Sequence, residues 1–102
     1  MTMTLQVIYP ATDGTSFDFD YYLGTHMPLV ARHMGPHIDS TLVTRGVAEA
    51  PDGAPATHAV ATLVFKDEAA LKAGLAAAGP AVADIPNFTD TKPQMLIGEV
   101  IG

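Results

Sequence analysis

The sequence has no cysteine and little positive charge. The absence of cysteine excludes a disulfide framework, thiolate metal sites and a cysteine nucleophile, and it fits a reducing compartment such as the cytoplasm. The basic residues are scattered and form no stripe that could hold phosphates: Arg32, Arg45, Lys66, Lys72 and Lys92. Because the net charge is -6, nucleic acids and anionic membranes are poor candidates as partners.

Long apolar runs and nucleotide-binding motifs are also missing. No run approaches the roughly 20 residues of a membrane span, so no membrane is expected as a partner. The first ten residues lack the basic region and apolar run of a signal peptide. There is no glycine-rich phosphate loop, dinucleotide fingerprint or nucleophile elbow. We therefore expect a cytoplasmic protein that uses no cofactor.

The composition predicts one folded domain over residues 1–102. Apolar residues make up 48% of the chain and charged residues only 16%, so disorder is excluded and a core can form without disulfides. So few charges leave apolar surface on a small domain, and a partner usually covers such surface. The composition therefore favours a homodimer. The richness in alanine, glycine and proline suggests a bacterial source.

The hydrophobic periodicity predicts strands and helices in the order β-α-β-β-α-β. The predicted segments are a strand from Met3 to Pro10, two helical pieces of about Phe17–Leu23 and about His26–Met34 with a kink or restart between them, a strand from His37 to Val47, a hairpin loop from Glu49 to Ala56 and a strand from Thr57 to Phe65. They continue with a helix from Glu68 to Ala78 capped by Asp67, an irregular segment from Ala81 to Asp90 with room for one short helical turn, and a strand from Gln94 to Ile101. This order is typical of a ferredoxin-like α+β fold, with a four-stranded antiparallel sheet and both helices on one face.

Alternate residues of a strand point to opposite faces of the sheet, and apolar residues occur at both odd and even positions of these strands. This pattern indicates that both faces of the sheet are covered. Val7 and Ile8 are neighbours of opposite parity, as are Leu42 and Val43. The helices can cover only one face. We therefore expect a second subunit's sheet to cover the other.

The first helical segment carries the main candidate site, His26 with Tyr22. If Thr25 caps a second helical piece, His26 lies in its first turn, where the positive helix end disfavours the imidazolium and leaves a neutral base. Tyr22 lies four residues earlier and shares its face, so its hydroxyl could orient a carbonyl or enol oxygen. The alternative is a structural histidine that is hydrogen-bonded inside the packing.

A second group of candidates precedes the last strand. Asp84 and Asn87 flank a proline and could contact a substrate together with Phe88. Turn chemistry is the simpler explanation for the two polar residues, and packing is the simpler one for the phenylalanine. The four histidines show no ligand spacing with one another or with acids, so no metal site is expected.

Three stretches together resemble the EthD family of the dimeric α+β barrel superfamily: Tyr9-Pro10, F-D-F-D-Y-Y-L-G-T-H-M-P-L-V at Phe17 to Val30, and A-D-I-P-N-F-T-D at Ala83 to Asp90. The resemblance implies a homodimer whose two sheets face each other around a barrel-like space. It also implies a link to the degradation of ethyl tert-butyl ether alongside an oxygenase. Relatives in the superfamily include cofactor-free isomerases, cyclases, monooxygenases and dehydratases. One of them, a methylmuconolactone isomerase, depends on a cysteine that this chain lacks.

Two functions follow as hypotheses. The first is a small cofactor-independent enzyme of catabolism or tailoring, an oxidoreductase or isomerase, that holds a small hydrophobic oxygenated molecule in a dimer pocket with His26 as general acid or base. The second is a non-catalytic ligand-binding or accessory protein of an oxygenase-dependent degradation pathway, in which His26 is structural.

Overall fold

A computed structural model describes residues 1–48 and 53–102 of the chain. Its elements are β1 (Met3–Pro10), α1 (Phe19–Tyr21), a π-helical turn (Tyr22–His26), α2 (Met27–Met34), a 3-10 turn (Gly35–His37), β2 (Ser40–Arg45), β3 (Thr57–Phe65), α3 (Glu68–Ala76), α4 (Gly79–Asp84), a 3-10 turn (Ile85–Asn87) and β4 (Gln94–Glu99). The predicted hairpin loop from Glu49 to Ala56 lies partly outside the described residues.

The four strands form one antiparallel sheet in the order β2-β3-β1-β4. The predicted ferredoxin-like α+β fold is therefore confirmed. Alternate residues of the two central strands are buried on the face that carries the helices: Leu5, Val7 and Tyr9 of β1, and Ala59, Ala61, Leu63 and Phe65 of β3. Within the described residues, no helix is long and apolar enough to cross a bilayer.

The helical segment after β1 is continuous, so the predicted restart at Thr25 is wrong. Asp18 caps its start, with a side-chain oxygen that accepts from the backbone N–H of Tyr21. The Met27 N–H then bonds to the Tyr22 carbonyl, five residues back. This widened turn carries the helix past Gly24 to Pro28, whose missing N–H would otherwise interrupt a regular helix.

Several other bounds differ from the prediction. The second strand ends at Arg45 rather than Val47, the helix after Asp67 ends at Ala76 rather than Ala78, and the last strand ends at Glu99 rather than Ile101. The second strand begins at Ser40 rather than His37, because Pro36 starts a 3-10 turn instead. The segment predicted to be irregular contains α4, since Pro80 in its first turn favours helix initiation. The predicted cap of the second long helix is confirmed, because an Asp67 carboxylate oxygen accepts from the Ala70 N–H at 2.8 Å.

Candidate functional site

A cavity of about 150 Å³ lies between the helices and the covered face of the sheet. Small side chains leave this space open. Ala61 on β3, Ala78 just before α4 and Ala81 within α4 all line it. The lining is apolar apart from Tyr9, Tyr22 and His26. The cavity lies inside one protomer, so it differs in place from the expected pocket between two sheets.

His26 is buried and is held by a carboxylate at the edge of this cavity. Its Nδ1 lies 3.0 Å from Oδ2 of Asp84, a residue 58 positions later in the chain. Asp84 is also buried, at the end of α4, and it does not line the cavity. The bond therefore joins the π-helical turn to α4 behind the cavity wall.

Two other side chains complete the surroundings of the Asp84 carboxylate. The Tyr21 hydroxyl donates to Oδ1 at 2.7 Å, and the Asn87 amide donates to the same oxygen at 2.9 Å. Burial raises the pKa of Asp84, but the hydrogen bonds from Asn87, Tyr21 and His26 outweigh burial and hold that pKa below its ordinary value. The carboxylate is therefore ionised at neutral pH.

Burial also lowers the pKa of His26 below its ordinary value of 6.5, and the hydrogen bond and charge of Asp84 only partly oppose this effect. The imidazole is therefore neutral at pH 7. Its neutrality comes from burial rather than from the predicted helix end, because His26 lies inside a continuous helix.

The bond to Asp84 assigns the proton of this neutral ring to Nδ1, since an ionised carboxylate can only accept. Nε2 then keeps its lone pair. His26 lines the cavity while Asp84 does not, and Nε2 lies on the other side of the ring from the bonded Nδ1. We infer that Nε2 is the nitrogen that faces the cavity. The arrangement presents a proton acceptor to an apolar cavity.

Two tyrosines add hydroxyl groups to the cavity wall. The Tyr22 ring stacks on His26, with centroids 5.4 Å apart. Its hydroxyl is fully buried and has no hydrogen-bond partner among the described residues. Burial raises the pKa of Tyr22 to about 12, and burial together with Tyr22 raises the pKa of Tyr9 further still. Both hydroxyls therefore stay protonated and can donate.

The structure brings all five candidate residues together, but in two layers. Tyr22 and His26 line the cavity. Asp84 and Asn87 lie behind His26, and the Phe88 ring packs 4.5 Å from the imidazole. These three do not line the cavity. Asp84 and Phe88 contact His26, and Asn87 contacts Asp84.

Sequence reasoning missed Tyr21 and Tyr9. The hydroxyl of Tyr21 binds Asp84, although no role in the site was predicted for Tyr21. Tyr9 is a buried member of the cavity wall, and it was not among the candidate site residues. The Y-P after the first strand was a signal for Tyr9. No local signal marks Tyr21, because its partner is 63 residues away.

This fold and this buried pair define a small ferredoxin-like protein with an internal cavity. The EthD domain model matches residues 13–92, and the chain belongs to the EthD family. The matched range includes His26, Asp84 and the groups that contact them. No protein of curated function matches the chain significantly in sequence.

Solved structures extend this result. An EthD-like protein from Ralstonia eutropha JMP134 is 31% identical over 99% of this chain and 93% of its own, with a TM-score of 0.88. An ethyl tert-butyl ether degradation (EthD) family protein from Bacillus halodurans C-125 is 21% identical over 99% of this chain and 100% of its own, with a TM-score of 0.68. SnoaB, a cofactor-independent oxygenase from Streptomyces nogalater, shares the fold at 13% identity over 97% and 91%, with a TM-score of 0.60.

Removal of the hydroxyl groups of the neighbouring Tyr21 and Tyr22 should change the free energy of unfolding in opposite directions. Tyr22→Phe removes a buried hydroxyl that has no partner, so the free energy of unfolding should rise by about 1–2 kcal/mol. Tyr21→Phe removes a donor to the ionised Asp84 and should lower the free energy of unfolding. Urea denaturation of both variants measures the two changes. A loss of stability in Tyr22→Phe would show that its hydroxyl is satisfied.

Proposed function

We propose that this protein is a small cofactor-independent enzyme that moves a proton on a small hydrophobic oxygenated molecule, with His26 as the general base and acid. One observation carries the proposal: a buried, neutral imidazole receives its orientation from Asp84 through Nδ1 and has its other nitrogen on the side of an apolar cavity. A histidine needed only for packing has no use for an accepting nitrogen at a cavity.

The reaction step follows from these groups. Nε2 of His26 takes a proton from a carbon next to a carbonyl, and the C–H electron pair becomes an enolate. Tyr9 and Tyr22 line the cavity with protonated hydroxyls and are the candidate donors to the enolate oxygen. The Tyr22 hydroxyl must first become accessible to the ligand, because it is fully buried. The Asp84 carboxylate stabilises the imidazolium that forms. If the substrate has a β,γ double bond, the enolate is a dienolate, and return of the proton to its γ carbon completes an isomerisation to the α,β-unsaturated carbonyl.

Proton removal is also the first step of a cofactor-free oxidation, in which the carbanion reacts with dioxygen. SnoaB is a cofactor-independent oxygenase with the same fold, which supports an oxidoreductase as the second form of the proposal. We place the enzyme in the cytoplasm of a bacterium, in catabolism or tailoring, and the ether-degradation name of the family supports a catabolic substrate.

The proton-transfer step can be measured without knowing the full reaction. In D₂O, the protein should accelerate deuterium incorporation next to the carbonyl of small cyclic ketones and lactones, followed by proton NMR. His26→Gln removes the base and keeps a neutral polar side chain of similar size, so the rate should fall by about 100-fold or more. His33→Gln, on the same helical segment but outside the cavity lining, is the matched control and should keep the rate.

The outcomes separate the two functions. Equal rates in the wild type and His26→Gln would refute the role of His26. Binding of ligands by the wild type without any exchange would instead favour the non-catalytic, accessory function.

The Asp84→Asn variant tests whether Asp84 orients the imidazole of His26 and raises its pKa. Because protonation of His26 removes the base, the wild-type exchange rate should fall as the pH drops through a pKa below 6.5. The Asp84 charge raises the pKa of His26, so its removal should move this fall to lower pH and reduce the plateau rate at least about tenfold. A lower plateau at an unchanged midpoint would indicate only structural damage.

We also propose that two copies pair through the open sheet face. Leu42 and Leu96 are exposed there at 64% and 54%, on either side of the hydrogen-bonded Gln6 and Thr62. Such an apolar face is usually covered. Sedimentation should give a dimer for the wild type and for Leu23→Glu, which alters an exposed leucine of the helical layer, but a monomer for Leu96→Glu. A monomeric wild type would contradict the pairing.

A further inference from the structure

The exposed residues of the cavity lining come from α3, α4 and β4. Three of its lining residues are exposed: Leu75 on α3, Val82 on α4 and Met95 on β4, at 37%, 48% and 50%. The other lining residues are buried, apart from the half-buried Met27. An exposed rim beside a buried interior marks the mouth, and this mouth is entirely apolar.

The volume of the cavity limits what it can hold. Drug-sized ligands occupy pockets of about 300–1,000 Å³, and this cavity is about 150 Å³. A dry apolar cavity of about that size, engineered in another protein, takes up benzene. The occupant is therefore about the size of a single ring, with roughly six to ten non-hydrogen atoms.

The charges around the cavity exclude an anion. None of the five basic residues lines it, and its polar groups are two protonated tyrosines and a neutral histidine. The nearest formal charge is the Asp84 carboxylate, directly behind His26. A carboxylate or phosphate placed here would be desolvated without a cation and repelled by Asp84.

We propose that this cavity selects neutral, single-ring carbonyl or phenol compounds, which enter through the mouth formed by Leu75, Val82 and Met95. The ring fills the apolar interior, and its oxygen lies toward the part of the wall formed by Tyr9, Tyr22 and His26. The requirement for a carbonyl or phenol oxygen rests on the proposed function. The selection for a single ring and for neutrality follows from the volume of the cavity and the charges around it. Multi-ring compounds and anions are excluded.

A binding panel tests the selection. Carbon–proton NMR of the alanine methyl groups follows Ala61, Ala78 and Ala81 in the cavity wall. Cyclohexanone and phenol should shift these signals in a saturable way. Benzoate, which adds a charge to the ring, and anthrone, a tricyclic ketone, should leave them unchanged. Saturable shifts with benzoate or anthrone, or none with cyclohexanone and phenol, would overturn the proposal.

A matched pair of variants tests the mouth. Met95 and Ile97 lie two residues apart on the same face of β4 with nearly equal exposure, but only Met95 lines the cavity. Met95→Trp should reduce the association rate of phenol at least tenfold, as measured by NMR exchange. Ile97→Trp should leave it unchanged. Equal rates in the two variants would refute this entry route.

Repeating the panel on His26→Gln separates this proposal from the proposed function, because the variant keeps the volume and the neutral wall. If cyclohexanone and phenol bind the variant and the wild type but the wild type exchanges no protons, the ligand class stands and the enzymatic function fails. If the wild type exchanges protons on anthrone while the single-ring compounds do not bind, the function stands and this ligand class fails.

Discussion

The hydrogen bond between His26 and Asp84 is the interaction on which the site depends. It joins the π-helical turn to the end of α4, 58 residues apart in sequence, and it determines which imidazole nitrogen is protonated. A buried carboxylate is costly unless its oxygens are satisfied. Tyr21 and Asn87 satisfy Asp84, so this pair of donors indirectly keeps His26 oriented. The other nitrogen of the ring is thereby left free for the cavity.

Around this bond, the protein departs from the rules that favour stability. The Tyr22 hydroxyl is buried without a partner, a π-helical turn replaces regular helix, and small alanines leave a cavity in the core. Each departure costs free energy, and all three meet at the same place. Such local conflicts are typical of functional sites, where a ligand supplies what the protein lacks. Core residues away from the cavity, such as Phe65 and Leu71, belong to the same buried cluster without lining this space.

Elements with strong local signals could be predicted from the sequence. The strands β1 and β3 have the predicted bounds, because their apolar runs end at clear stops, and Asp67 caps α3 as expected. The continuous helix through Gly24 could not be predicted, since a π-helical turn depends on packing. The contact between Tyr22 and His26 could be predicted from their spacing, and the two rings stack. The contact of Asp84 with His26 could not, because the two residues lie 58 positions apart and turn chemistry explained the same aspartate.

The central claim is that His26 is a neutral base, protonated on Nδ1, with its Nε2 free on the cavity side. Nitrogen NMR of the 15N-labelled imidazole at pH 7 tests it most directly, because the shifts of the two ring nitrogens report which one carries a proton. The account predicts a protonated Nδ1, an unprotonated Nε2 and titration below pH 6.5. A proton on Nε2, or an imidazolium at pH 7, would contradict it.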